Sequence, residues 1–177
     1  MKTILIIAVL ASSAFAADQA TVAAAESACG PSNIQFDVKT EKGQHPTALA
    51  QDGKALIYVV EVFEKPGDQL AKPTTKVGLD GTWVGANKSN SYFFFPVESG
   101  DHHLCAAWQS RLKGYSQKVA LTNFSAEAGK AYYFQARIIE HDEGRDAWFT
   151  LDMGPVNSDE GQLLVASSAF STSHPKR

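Results

Sequence analysis

The stretch Thr74 to Trp108, TTKVGLDGTWVGANKSNSYFFFPVESGDHHLCAAW, constrains this chain more than any other, because turn signals divide it into short runs. Asp80-Gly81 lies between two alternating runs. Both central positions of a type I′ turn need φ > 0, and Asp-Gly meets that need at low steric cost. Ser99-Gly100-Asp101 then separates the aromatic run Tyr92 to Val97 from His102 to Trp108. The stretch is expected to form a meander of three or four antiparallel strands. It carries no nucleophile elbow, phosphate loop or metal-ligand spacing.

The rest of the chain repeats the theme. Ile34 to Lys39 alternates apolar and polar residues, which argues for a strand with one face on a core. Lys54 to Glu64 places Leu56, Tyr58, Val60 and Val62 on one face and Ile57, Val59 and Phe63 on the other, the pattern of a central strand covered on both sides. Tyr92 and Phe94 oppose Phe93 and Phe95 in the same way. Further strands are predicted over Ser116 to Phe124, Lys130 to Glu140 and Asp146 to Met153. Asn157, three residues before Glu160, forms a capping box for a short helix from Ser158 to about Ser168. The tail STSHPKR is polar and expected to be loose. About eight closely spaced strands predict a mainly β fold: an antiparallel β-sandwich, immunoglobulin-like or transthyretin-like, with one short C-terminal helix.

The opening MKTILIIAVLASSAFA has a lysine at position 2, an apolar core and small residues at Ala14 and Ala16, the features of a signal peptide over residues 1–16. Its apolar core is about half of the ~18 residues that a membrane span requires. The expected mature chain is one β-sandwich domain over 17–177, with an ordered core of about 29–170, in the periplasm or secreted. Without Lys2 it holds 15 basic against 19 acidic residues, a net charge of −4 spread along the chain. No basic stripe is present to bind nucleic acid or an anionic membrane. Cys29 and Cys105 are the only cysteines, and an oxidising compartment favours their pairing as a structural disulfide. Leu104, Ala106 and Trp108 share one face of their strand, so Cys105 looks the other way, where a segment bearing Cys29 can cross.

Candidate chemistry is sparse. Strand alternation sends His102 and His103 to opposite faces, so Asp101-His102-His103 does not converge on one ion. Glu140-His141-Asp142-Glu143 with Asp146 lacks the spaced ligands and central glycine of a calcium loop. No serine sits in a Gly-x-Ser-x-Gly setting, and an oxidised Cys105 is no nucleophile. No catalytic, cofactor-binding or metal residue is therefore assigned. The aromatics Trp83, Tyr92, Trp108, Tyr115, Tyr132, Tyr133 and Trp148 are expected to be mostly core, with an exposed platform for sugar or peptide as the functional alternative. Asn87-Lys88-Ser89 and Asn123-Phe124-Ser125 match the glycosylation sequon.

The runs VGLDGTWVG and NSYFFFPVESGDHHLCA resemble the family catalogued as domain of unknown function 2846. Val97, Gly100, His102 and Leu104 match its V-x-x-G-x-H-x-L turn, and Gly129, Lys130, Tyr132 and Tyr133 its later G-K-x-Y-Y strand. The likeness covers roughly Ala55 to Ile138, and the turn also resembles small bacterial surface domains of the PEGA type. It implies an exported, mostly β bacterial protein with no catalytic residues to carry over. The function expected is a non-catalytic envelope module that binds a protein, peptide or glycan partner, without a cofactor. A metal-assisted or carboxylate hydrolase using His102, His103 and nearby acids is the catalytic alternative, and a purely structural envelope protein the third.

Overall fold

The computed structural model describes residues 23–46, 48–64, 74–88, 90–109, 118–142 and 147–177. A helical turn, α1, covers residues 23–29. The strands are β1 Phe36–Glu41, β2 Lys54–Glu64, β3 Thr74–Leu79, β4 Thr82–Lys88, β5 Ser91–Glu98, β6 Gly100–Gln109, β7 Val119–Ala126, β8 Ala131–Asp142, β9 Ala147–Val156 and β10 Ala169–Pro175, with helix α2 at Ser158–Ser167 between the last two. They form two sheets, β1-β10-β5-β2-β8-β9 and β4-β3-β6-β7. The result is a mainly β, two-sheet sandwich, as the short alternating runs predict.

Local signals hold where they are strongest. Asp80 and Gly81 adopt φ of 49° and 79° and join β3 to β4 with Leu79 opposite Thr82. Asn157 caps α2, its side chain accepting from Glu160 N–H at 2.9 Å.

Three expectations are corrected. The Thr74 to Trp108 stretch is not one continuous meander: β5 leaves the four-stranded sheet and pairs with β2 and β10. Its aromatic residues need cover on both faces, and only the centre of the larger sheet offers it. Phe93 enters the core between the sheets, while Tyr92 and Phe94 turn to the cluster on the outer face. The sandwich is also not wholly antiparallel, because β2 runs parallel to β8 and β10 parallel to β5. A parallel pair needs a crossover, and the chain between β2 and β8, which includes the whole of the smaller sheet, supplies it. Finally, the polar tail is β10, inserted between β1 and β5. Ser171 is buried and its hydroxyl lies 2.7 Å from that of Ser91, while Ser173 Oγ accepts from Ala86 N–H at 3.0 Å. Ser171 and Ser91 satisfy one another and Ser173 serves the β4 backbone, so hydrophobic patterning does not reveal the strand.

The core between the sheets holds Ala55, Ile57, Val59, Phe93, Phe134, Ala136 and Met153 from one side against Val77, Leu104, Ala106 and Ala126 from the other. Trp108 continues it with Ile138 and Phe149. On the outer face of the smaller sheet the N-terminal segment lies as anticipated. Cys29 and Cys105 are joined, with Cα atoms 5.3 Å apart, and both are buried. Around the bond, Gly81 N–H donates to Ala28 O at 3.1 Å, Trp83 Nε1 to Pro31 O at 2.9 Å, and Lys76 Nζ to Ile34 O at 2.9 Å. The Lys76 ammonium also stands 4.1 Å from the centre of the Trp83 ring. Burial depresses its pKa.

Candidate functional site

The histidine cluster is placed by the Asp80-Gly81 turn. His102 Nδ1 lies 2.7 Å from Asp80 Oδ2 and Nε2 lies 2.9 Å from the Glu98 carbonyl. An ionised carboxylate and a carbonyl only accept, so the ring satisfies both as an imidazolium. The second carboxylate oxygen, Oδ1, accepts from His103 N–H at 2.8 Å and stands 3.8 Å from His103 Nδ1. One carboxylate thus meets both histidines, which alternation along β6 alone does not predict. His102 packs on Phe124, ring centroids 5.5 Å apart. The cluster therefore ties the β3–β4 turn to the start of β6. Among the described residues no group of three or more His, Cys, Asp or Glu side chains is arranged to hold a metal ion.

Burial works against a charge on His102, but the bonds to Asp80 and to the Glu98 carbonyl, with the Asp101 charge, outweigh it and raise the pKa above 6.5. For Asp80, burial is likewise outweighed by the His103 N–H and the two imidazoles, and the pKa falls below 3.8. A raised histidine stabilises the fold fully below its unfolded pKa and loses that contribution as pH climbs through the folded value. A lowered aspartate does so above its unfolded pKa and loses it as pH falls through the folded one. The pair therefore contributes most between about pH 4 and 6.5. Asp80→Asn keeps a residue that tolerates φ > 0 and removes the charge. Urea unfolding of wild type against this variant is expected to differ by on the order of 1 kcal/mol near pH 5, solvent screening included, and by less at pH 9. A difference that stays constant with pH would show that the ion pair is not the source.

A second constellation lies on the outer face of the larger sheet. Tyr58 from β2, Tyr92 from β5 and Tyr133 from β8 stand side by side because each occupies the face opposite the inter-sheet core. Tyr58 and Tyr133 stack with centroids 5.0 Å apart and planes 15° from parallel. His45 lies nearly parallel to Tyr92, 9° off at 6.3 Å. Together with Pro46 and with Gln162, Val165 and Ala166 of α2, they line a pocket of about 260 Å3. Among the described residues that line it, none is an acid, a lysine or an arginine. Burial pushes all three phenols above their ordinary value. The Ala48 backbone opposes this at Tyr58, whereas Tyr58 itself adds to it at Tyr92 and Tyr133. The three hydroxyls therefore stay protonated at neutral pH.

Tyr92 is wholly buried, and its hydroxyl has no hydrogen-bond partner within the described residues. An unpaired buried hydroxyl is destabilising, so Tyr92→Phe is expected to raise stability by about 1 kcal/mol. Calorimetry checks this. A loss of similar size would mean that the hydroxyl is satisfied in solution.

Of the aromatic residues considered as a platform, Trp108 is core and Trp83 is engaged by the N-terminal segment, whereas Tyr92 and Tyr133 line the pocket. Tyr115 lies outside the described residues, as do Glu143 and Asp146 of the acidic turn and Ser89 of the first sequon. His141 bonds Thr150 Oγ1 at 2.9 Å. Asn87 is buried and donates to Val59 O and Ser91 O, each at 2.9 Å. The pocket residues that the sequence did not single out are His45, Pro46, Tyr58, Gln162, Val165 and Ala166. The usable signal was the apolar outer face of Lys54 to Glu64, which demanded a cover.

Fold and site thus define a disulfide-stapled β-sandwich with a tyrosine-lined pocket beneath one helix. No protein-family model, curated protein or solved structure matches the chain.

Proposed function

We propose that this is an exported, non-catalytic envelope module that binds a protein, peptide or glycan partner through the tyrosine pocket. The observation that carries the reading is the pocket itself: aromatic faces and neutral polar groups gathered from β2, β5, β8 and α2, with no acid–base pair among the lining residues. The His102 alternative is less well supported, since both its ring nitrogens are occupied by Asp80 and Glu98. Export is supported by the leader pattern of residues 1–16, by the disulfide, and by the resemblance to the domain of unknown function 2846 family. Among the described residues no helix is long and apolar enough to cross a membrane.

Within the sandwich class we favour the transthyretin-like type. Strands β2 to β9 divide four and four, as β5-β2-β8-β9 and β4-β3-β6-β7. The immunoglobulin constant arrangement instead puts its first, second, fifth and fourth strands in one sheet.

The test is tyrosine-labelled NMR of the chain against envelope extract separated into protein, peptide and glycan fractions. The reading holds if a fraction shifts the Tyr58, Tyr92 and Tyr133 rings and is recovered unaltered. It fails if no fraction shifts them, or if a fraction is chemically turned over. Intact mass of the exported species is expected to correspond to a chain beginning at Ala17. A chain that retains Met1 in the membrane fraction would contradict export.

A further inference from the structure

We infer that the tyrosine pocket takes a single neutral pyranose ring, either a free sugar or the terminal unit of a glycan. This deepens the binding reading above and rests on it. Size is the first constraint. At about 260 Å3 the pocket lies just below the range of roughly 300–1,000 Å3 that accommodates drug-sized ligands, so it suits one ring with its substituents.

Charge is the second constraint. Among the described residues the lining holds no acid, lysine or arginine, so an entering phosphate, carboxylate or ammonium would lose its hydration without gaining a counter-charge from them. The ligand is therefore neutral.

The third constraint is the mixture of faces and donors. Tyr58 and Tyr133 cover one face of each other and Tyr92 is wholly buried, so the aromatic surface open to a ligand is that of half-buried Tyr133 and exposed His45, flat apolar surface of the kind that packs against the C–H face of a sugar. Beside those rings stand the Tyr133 hydroxyl, held protonated, the His45 imidazole and the exposed Gln162 amide. A purely apolar ring would leave these groups without partners on entry, whereas a ring rimmed with hydroxyls can both donate to them and accept from them. An extended peptide fits less well, because it needs a sheet edge or a long groove for its main chain, and this pocket lies on a sheet face under a helix.

The experiment titrates the full exported chain with glucose, galactose, mannose and N-acetylglucosamine and with their methyl glycosides, following the tyrosine ring resonances. Saturable shifts of Tyr58, Tyr92 and Tyr133 by at least one of these sugars are expected. Tyr133→Ala should weaken that binding about tenfold, by loss of an aromatic wall and a hydroxyl. Gln162→Leu, at an exposed helix position that leaves the core intact, should weaken it severalfold, and Leu163→Ser, outside the pocket, should not change it. Equal binding of the methyl glycoside identifies a terminal glycan unit, and binding of the free sugar alone identifies a monosaccharide. Either supports the proposal. If none of the sugars shifts these rings while the protein or peptide fraction of the envelope does, the sugar assignment is overturned and the binding reading survives. If neither sugars nor any fraction shifts them, both are overturned. Sugar binding that is unaffected by Tyr133→Ala and by Gln162→Leu places the site elsewhere and also overturns the assignment.

Discussion

Reduction of the Cys29–Cys105 bond, or Cys105→Ser, is expected to lower the melting temperature by roughly 10–18 °C while leaving the β-rich circular dichroism spectrum intact in the cold. The bond links residues 76 apart in sequence. Closing a loop of that length restricts the unfolded chain by about 4.5 kcal/mol in the loop-entropy account. Against the net stability of a typical domain, about 5–15 kcal/mol, the loss is large. The sandwich should nevertheless persist in the cold, because the inter-sheet core does not include either cysteine. What loosens first is the segment held by Gly81–Ala28, Trp83–Pro31 and Lys76–Ile34 contacts on the outer face of the smaller sheet. Scanning calorimetry with and without reductant measures the shift. Two titratable thiols per chain in the unreduced, denatured protein would show that the bond is absent.

Gly161→Ala is expected to destabilise the chain by about 1–2 kcal/mol, against the direction of helix propensity. In an exposed helix interior, alanine is favoured over glycine by about 1 kcal/mol. Gly161 is instead the buried residue of α2, and a Cβ built there would collide with the Tyr133 ring. Either the helix lifts or Tyr133 turns, and forcing extra volume into a packed contact costs about 1–3 kcal/mol. Because Tyr133 and Gln162 both line the pocket, the same change should reshape it and shift the tyrosine resonances. Urea unfolding decides the sign. A neutral or stabilising Gly161→Ala would mean that α2 does not rest on Tyr133 and that the pocket has a different wall.

The candidate site is only half legible in the sequence. Two-sided apolarity in Lys54 to Glu64 and in Tyr92 to Phe95 announced that something must cover an outer sheet face, and Asn157 announced the helix that does. Nothing in either pattern says that they meet, because the helix lies about a hundred residues from β2 along the chain and their contact is a product of sheet order. His45 and Pro46 enter the pocket from a stretch without periodicity, where local patterning carries no information. The His102–Asp80 pair is not legible in the sequence for a related reason. Alternation describes where side chains leave their own strand, whereas the carboxylate arrives from the turn of a neighbouring one.

Local chemistry in the sequence by itself determined the Asp80-Gly81 turn, the capped helix, the apolar faces of β2 and β5, and the identity of the only two cysteines that could pair. These follow from steric limits on φ, from hydrogen bonding at a helix start, and from the period of two along a strand, none of which needs a distant partner. The tertiary structure alone decided that β5 leaves its neighbours for the other sheet, that a serine-rich tail becomes β10, and that β2 and β8 run parallel. Alternation states how many faces of a strand must be kept from water but not which strand does the covering. That choice is made by long-range pairing, where the buried Ser91–Ser171 contact and the double-sided burial of the aromatic strand are satisfied together.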